Sequence, residues 1–259
     1  MKERTIMNIE RTPMNLTSRS VRTRLRRLAV GIAVTALSAL ASATNLPAGS
    51  AWAQSVADIP TSVDVAIANE RLVEIFATPE AIKPSVKLDA YENFSRRLVF
   101  RVISKSGDRL KVWLPIRPNG VTGYINIADA KVKTYDYAIL VDLSDRKLTL
   151  YKAGAPVFAE KVAIGAPKTP TPLGEYYLTE LAKVSNKGSE YGTWAFGVSA
   201  FSETIARFKS RSGQIGLHGT NKPKDLGKNI SHGCIRLNNV SIAKLAKTVP
   251  QGTPIIIVP

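Results

Sequence analysis

Past residue 61 the chain is a succession of short apolar runs broken by turn signals, with almost no long amphipathic stretch. That spacing excludes a helical bundle and calls for strands. Between 62 and 133 the runs fall at 63–68, 72–76, 98–104, 110–114 and 123–127, and Ser106-Gly107-Asp108 and Pro118-Asn119-Gly120 mark turns between them. Short strands this closely spaced predict a small all-β domain, a barrel or sandwich of the SH3-like kind. Trp113 and Tyr124 fall on its strands, where packing is their ordinary use. Residues 128–134 read as a joint, and 134–259 as a second, larger β-rich domain. There, Ile139, Val141 and Leu143 alternate with their neighbours before a turn at Ser144-Asp145 and a return run at 147–151, which predicts a hairpin with one buried face. Further strands are expected at 157–164, 174–179, 194–198, 215–218 and 254–258. One helix stands out near the end, with Asn239 as its cap, Val240, Ala243, Leu245 and Ala246 as its apolar face and Pro250 as its stop. No glycine-rich phosphate loop follows a strand, so nucleotide chemistry has no support.

The first 53 residues belong to a different class. Basic residues from Arg19 to Arg27 run into an uncharged, apolar stretch at 28–43, and small residues lead on to Ala51-Trp52-Ala53. This is the layout of a secretory signal, with cleavage expected after Ala53 and a polar lead-in at 54–61. The uncharged run is shorter than the roughly 20 residues a spanning helix needs, so membrane contact is expected to be transient, through this segment alone. The alternative is an uncleaved anchor. Export places the body in the periplasm or cell wall, at the outer face of the cytoplasmic membrane.

Charge adds a constraint. The chain carries 36 Lys+Arg against 20 Asp+Glu; removing the first 53 residues leaves 28 and 18, a body of formal charge +10. Such a surface suits anionic wall polymers, and with export expected and no nucleic-acid motif in view, nucleic acid is not the expected partner. Cys234 is the one cysteine, so no internal disulfide can form, and the two histidines, His218 and His232, stand close before it.

That clustering carries chemistry. A free thiol is mostly protonated at neutral pH, its ordinary pKa being about 8.5, and becomes a strong nucleophile beside an imidazole that takes its proton. In an extended segment the Cβ atoms of His232 and Cys234 stand some 7 Å apart and do not point at one another. A histidine on a neighbouring strand can meet the thiol at cross-strand distance, which favours His218 as base and His232 as a supporting residue. Gly219 has no side chain, so an acceptor that orients the His218 ring there would be a backbone carbonyl. Gly233 allows a tight turn, the amide of Cys234 is a natural oxyanion donor, and Arg236 can fork a substrate carboxylate. Two other readings exist: a buried inert cysteine, and a zinc site made by His218, His232 and Cys234, whose H-x-C spacing is unusual for zinc and lacks an acidic partner nearby.

His218-Gly219-Thr220 followed by Ser231-His232-Gly233-Cys234-Ile235-Arg236-Leu237 resembles the signature of the L,D-transpeptidase catalytic domain, the YkuD-type fold. The resemblance spans about 137–259 and includes the opening hairpin and Thr169-Pro170-Thr171-Pro172-Leu173-Gly174. The segment 113–120 is similar to an accessory part that precedes this domain in some bacterial members. The resemblance implies a YkuD-like β-sandwich or barrel with one short helix. It implies that Cys234 attacks a peptidoglycan tetrapeptide stem, releases D-alanine and holds the stem as a thioester, which a second stem's amine resolves into a 3→3 cross-link. His218 would be the base, oriented by the Gly219 carbonyl. Ser231 and His232 would shape the pocket, and the amides of Gly233 and Cys234 would stabilise the oxyanion. Neither cofactor nor metal is implied, and carbapenems are expected to acylate Cys234. Alternatives are an L,D-carboxypeptidase, an enzyme that attaches proteins to peptidoglycan, and a non-catalytic wall-binding module.

Overall fold

The computed structural model describes residues 59–90, 97–186, 188–207 and 212–259, and these described residues are mostly β with a single α-helix among them. The expected signal segment and most of the lead-in lie outside the described residues. Strands β1 (Val63–Ala68), β4 (Val99–Ser106), β5 (Arg109–Trp113), β6 (Thr122–Asn126) and β7 (Ala130–Tyr135) form an antiparallel sheet in the order β6-β5-β4-β1-β7. A hairpin of β2 (Leu72–Ile75) and β3 (Val86–Asp89) joins it through a bridge between Phe76 and Tyr124. The residues expected to be a joint therefore contribute a strand: β7 pairs along the whole of β1, from Val63↔Tyr135 to Ala68↔Ala130. Its Lys131, Val132, Lys133 and Thr134 are all exposed, so no buried face betrays it in the sequence.

The second sheet has eight strands in the order β10-β9-β8-β17-β12-β13-β14-β16. In chain order these are β8 (Tyr137–Asp142), β9 (Lys147–Lys152), β10 (Ala155–Lys161), β12 (Gly174–Lys183), β13 (Trp194–Phe201), β14 (Gln214–His218), β16 (Ile235–Arg236) and β17 (Pro254–Val258). A short parallel pair, β11 (Ile164–Gly165) with β15 (Asn229–Ser231), lies beside them. The last strand of the chain enters the middle of the sheet, parallel to β8 and antiparallel to β12. Its Pro-Ile-Ile-Ile-Val run suits that place, because a strand covered on both faces reads as unbroken hydrophobic sequence. The β8–β9 hairpin differs from expectation in the same way. Ile139 and Val141 enter the main core, while Ala138 and Leu140 are buried on the other face against Ile59, Tyr151 and Ile256.

Helix α1 (Asn239–Thr248) packs Ile242 and Leu245 into the main core with Phe196, Leu217 and Ile235. Its cap is one residue earlier than expected. Asn238 has extended backbone geometry and its side chain accepts the Ser241 N–H at 2.8 Å. Val240 is accordingly turned out, 82% exposed, and does not belong to the apolar face. The two sheets touch through Val65, Val99 and Tyr177, whose hydroxyl donates to the Trp113 carbonyl at 3.2 Å, and through the Arg101–Glu175 ion pair at 2.8 Å. Removing the true cap is expected to cost about 1 kcal/mol, so Asn238→Ala should lower the urea midpoint by that equivalent at an unchanged slope.

Candidate active site

Strand β16 is two residues long and runs parallel to β14, with Leu217 opposite Ile235 and His218 opposite Arg236. That register sets the residue before β16, Cys234, beside Gly216. The Gly216 N–H points at Cys234 Sγ at 3.3 Å, a donor that favours the charged form of the sulfur. A Cβ built on Gly216 would stand 3.5 Å from His218 Cδ2 and 3.7 Å from Cys234 Sγ. Thiol and imidazole thus flank one open point on the sheet, with Gly216 as its floor.

The imidazole is held in one orientation. Its Nδ1 lies 2.6 Å from the Gly219 carbonyl oxygen, and since a carbonyl only accepts, Nδ1 carries the proton. Nε2, bonded to the Cδ2 that faces the Gly216 floor, is then the nitrogen with the free lone pair. Tyr191 lies tilted against the ring, centroids 4.6 Å apart. Burial pushes the His218 pKa down to about 4; the Gly219 bond opposes this, Arg236 adds to it and Glu190 opposes it.

Asn239, expected as a helix cap, serves this arrangement instead. Its Oδ1 accepts the Thr193 N–H at 3.1 Å and its Nδ2 donates to the Thr220 carbonyl at 3.0 Å. It therefore staples the segment after Tyr191 to the one after His218. A Cβ on Gly219 would collide with Asn239 Oδ1, which explains why no side chain follows His218. The sequence marked Asn239 only as a cap and Tyr191 not at all; the staple shows itself only once α1 and β13 are packed together.

The turn that carries the thiol is tied from within and from below. Ser231 Oγ donates to the Cys234 carbonyl at 2.6 Å and accepts the Gly233 N–H at 3.1 Å. The Gly233 amide, expected to face an oxyanion, is thus engaged inside the turn. Thr169 and Thr171 donate to the carbonyls of Ser231 and Gly233, each at 2.9 Å, so the Thr-Pro-Thr-Pro segment buttresses the turn. Gly233 has a φ of +108°, which only glycine adopts readily, and a Cβ there would come within 2.9 Å of Ile215. Ser231 is buried and structural, while His232 is exposed and lines the cleft.

The cleft, about 380 Å³, is walled by His218, His232, Cys234 and Arg236 on one side and by residues that include Glu180, Ser202, Ile205 and Gln214 elsewhere. Arg236 Nε is buried without a hydrogen-bond partner. Glu180 on β12 lays its carboxylate over Gly197 of β13, and Gly197 is paired with Gly216 of β14. The row Glu180, Gly197, Gly216, Cys234 therefore crosses three strands and ends at the residue ahead of β16, with no side chain of its own at the two middle positions. Among the described residues, no group of three or more His, Cys, Asp and Glu is placed to hold a metal ion.

A thiol, an imidazole and a cleft thus meet on one curled β-sheet. The family model of the L,D-transpeptidase catalytic domain matches residues 136–257. YkuD of Bacillus licheniformis is 34% identical over 126 residues, covering 49% of this chain and 68% of that protein. YkuD of Bacillus subtilis is 32% identical over 124 residues, covering 48% of this chain and 67% of that protein. The chain belongs to the YkuD family of L,D-transpeptidase catalytic domains. Among solved structures, an Enterococcus faecium L,D-transpeptidase is 21% identical with a TM-score of 0.37, and the match spans 47% of this chain and about half, 49%, of that one. The L,D-transpeptidase LdtMt1, solved in complex with imipenem, is 16% identical over 75% of this chain and 82% of that one, with a TM-score of 0.39.

The depressed His218 pKa has a thermodynamic consequence. The unfolded chain binds that proton near the ordinary 6.5, so between pH 6.5 and about 4 it takes up more proton than the folded chain. Stability tied to this imidazole is whole above 6.5 and is lost as pH falls to 4. Acidification from pH 7 to pH 4 should cost the wild type about 3 kcal/mol more than His218→Asn, read by urea unfolding. Parallel stability curves for the two proteins would contradict a buried, neutral imidazole.

Proposed function

We propose that the protein is a cysteine-dependent L,D-transpeptidase that forms 3→3 cross-links between peptidoglycan stem peptides through a thioester on Cys234. The observation that carries this reading is the shared Gly216 floor, flanked by Cys234 Sγ and by the free-nitrogen edge of His218. As Sγ adds to the carbonyl between the diamino acid and the terminal D-alanine, His218 Nε2 takes the thiol proton. The tetrahedral oxyanion is met by the Cys234 N–H, because the Gly233 N–H is engaged by Ser231. The C–N bond then breaks, and the proton passes from His218 to the departing D-alanine amine. The side-chain amine of a second stem attacks the thioester, gives a proton to His218, and expels the thiolate with the new amide formed. Arg236 supplies a guanidinium for a stem carboxylate, and His232 flanks the cleft mouth.

A neutral base fits this sequence of steps. With its pKa near 4, His218 is unprotonated at neutral pH and can accept a proton, then return it without a charged resting state. The same thiolate would open the strained amide of a carbapenem, so acylation by that class belongs to the proposal. Export through the basic and apolar N-terminal segment would place the site where such stems are, and the +10 body would favour anionic wall polymers. With water as acceptor the protein would be an L,D-carboxypeptidase, and with a protein amine it would attach that protein to the wall.

Incubation with tetrapeptide muropeptides separates these products: cross-linked dimers for transpeptidation, tripeptide monomers alone for hydrolysis. Cys234→Ala should abolish both, and equal turnover in that variant would end the enzymatic reading. Imipenem should add one adduct, on Cys234, detected by mass spectrometry. His218→Ala should slow that acylation about 100-fold or more, and His232→Ala much less; the reverse ranking would move the base role to His232.

A further inference from the structure

We infer that Arg117 and Asn119, which lie outside the transpeptidase domain match, are positioning residues that set the width of the catalytic cleft. Both belong to the turn between β5 and β6 in the first sheet. The Arg117 guanidinium crosses to the other sheet and donates to three carbonyls: Ser202 at 2.8 Å, Ile205 at 2.9 Å and Ser212 at 3.0 Å. It also lies over the Phe201 ring, 5.2 Å from the centroid. Asn119 takes both backbone groups of Phe201, donating to its carbonyl and accepting its N–H, each at 2.8 Å. Ser202, Ile205, Ser212 and Gly213 are cleft-lining residues.

The need for this brace follows from the local backbone. The β13–β14 ladder shifts register between Gly197 and Phe201, and the three carbonyls that Arg117 gathers lie beyond the end of β13. Carbonyls removed from a ladder must find other donors, and few side chains can serve three at once. A guanidinium can: it is planar, permanently charged and carries five N–H donors in a fixed fork. A lysine ammonium has three donors on a flexible stem and cannot reproduce that fork. Gly213 is shaped to the same contact, since a Cβ there would collide with the Ile205 carbonyl and come within 2.9 Å of Arg117 Nη2.

The chemistry sits elsewhere around the cleft. Cys234 and His218 are held by β14, β16, Asn239 and the Ser231 turn, none of which Arg117 touches. Loss of the brace should therefore loosen substrate binding and spare the reactivity of the thiol. The first sheet would then act as an external splint: it contributes no reacting group, yet it fixes the wall against which the stem is pressed. This rests on the reading that the cleft binds a peptidoglycan stem, so one arm of the test is independent of activity.

The exported chain and its Arg117→Ala, Arg117→Lys and Asn119→Ala variants would be compared. Arg117→Ala should raise the KM for a tetrapeptide stem about tenfold with kcat changed by no more than about twofold, as expected for lost charge-assisted hydrogen bonds in a binding wall. Arg117→Lys should recover part of that loss. Alkylation of Cys234 by iodoacetamide should keep the wild-type rate in all three variants. Amide hydrogen exchange should quicken at 201–207 and 212–216 and stay unchanged in β8 and β9. An unchanged KM and unchanged exchange at those segments in Arg117→Ala would overturn the inference. A parallel collapse of KM, alkylation and Tm in all three variants would also overturn it, by reducing the contact to general support. If the wild type turns over no stem peptide, the proposed reaction falls, and exchange at 201–207 and 212–216 alone then decides the brace.

Discussion

The parallel pairing of β14 with β16 is the contact on which the site depends. Two residues of strand are enough, because Leu217 and Ile235 are both fully buried in the core beneath α1 and lock the register. A slip of one residue would turn Cys234 to the other face and remove it from His218. The short strand is protected from fraying by what surrounds it. Arg236 exchanges both backbone bonds with Ala163, and Leu237 donates to the His218 carbonyl at 2.8 Å. The turn ahead of it is fixed by Ser231, Thr169 and Thr171. Cys234 is therefore held by backbone on both sides.

The electrostatics of the site follow from the same burial. A buried imidazole loses hydration that its charged form needs, so it stays neutral, and the Gly219 carbonyl selects which nitrogen keeps the proton. A carboxylate in that place would orient the ring equally well but would favour the imidazolium. A backbone carbonyl orients with less charge, which leaves the imidazole neutral at neutral pH. Arg236 works in the same direction by repelling a second positive charge, while Glu190 works against it.

The sequence made the cleft's thiol and imidazoles visible because they are scarce: one cysteine and two histidines fall within seventeen positions. The strand pattern was visible where burial alternates along the strand, as in Arg109–Trp113 or Thr122–Asn126. It failed where burial is absent or complete. β7 presents lysines to solvent and reads as a linker, while β8 is covered on both faces and reads as if half-buried. Adjacent asparagines defeated the choice of cap, since Asn238 and Asn239 are equally good by residue type and only packing assigns one to the helix and the other to the staple. Arg117 and Tyr191 depend on contacts between segments far apart in the chain, and no local periodicity announces these.

The bare row across the sheet explains why the thiol can be reached at all. Neighbouring strands stand about 4.8 Å apart, so Gly216 leaves about one strand spacing clear beside Cys234, while the Glu180 carboxylate lies over Gly197. Any side chain at Gly216 would stand against both the sulfur and the imidazole, and one at Gly197 would meet the Glu180 carboxylate. Glycine weakens a strand by leaving nothing to pack, and here two in register lie on adjacent strands of the sheet beside Cys234. Their cost is offset by the packed core on the opposite face, where Phe196, Leu217 and Ile235 are buried. The sheet is thus apolar and full beneath the site and bare at Gly216 above it, and the alternation of a β-strand delivers both faces from the same few residues.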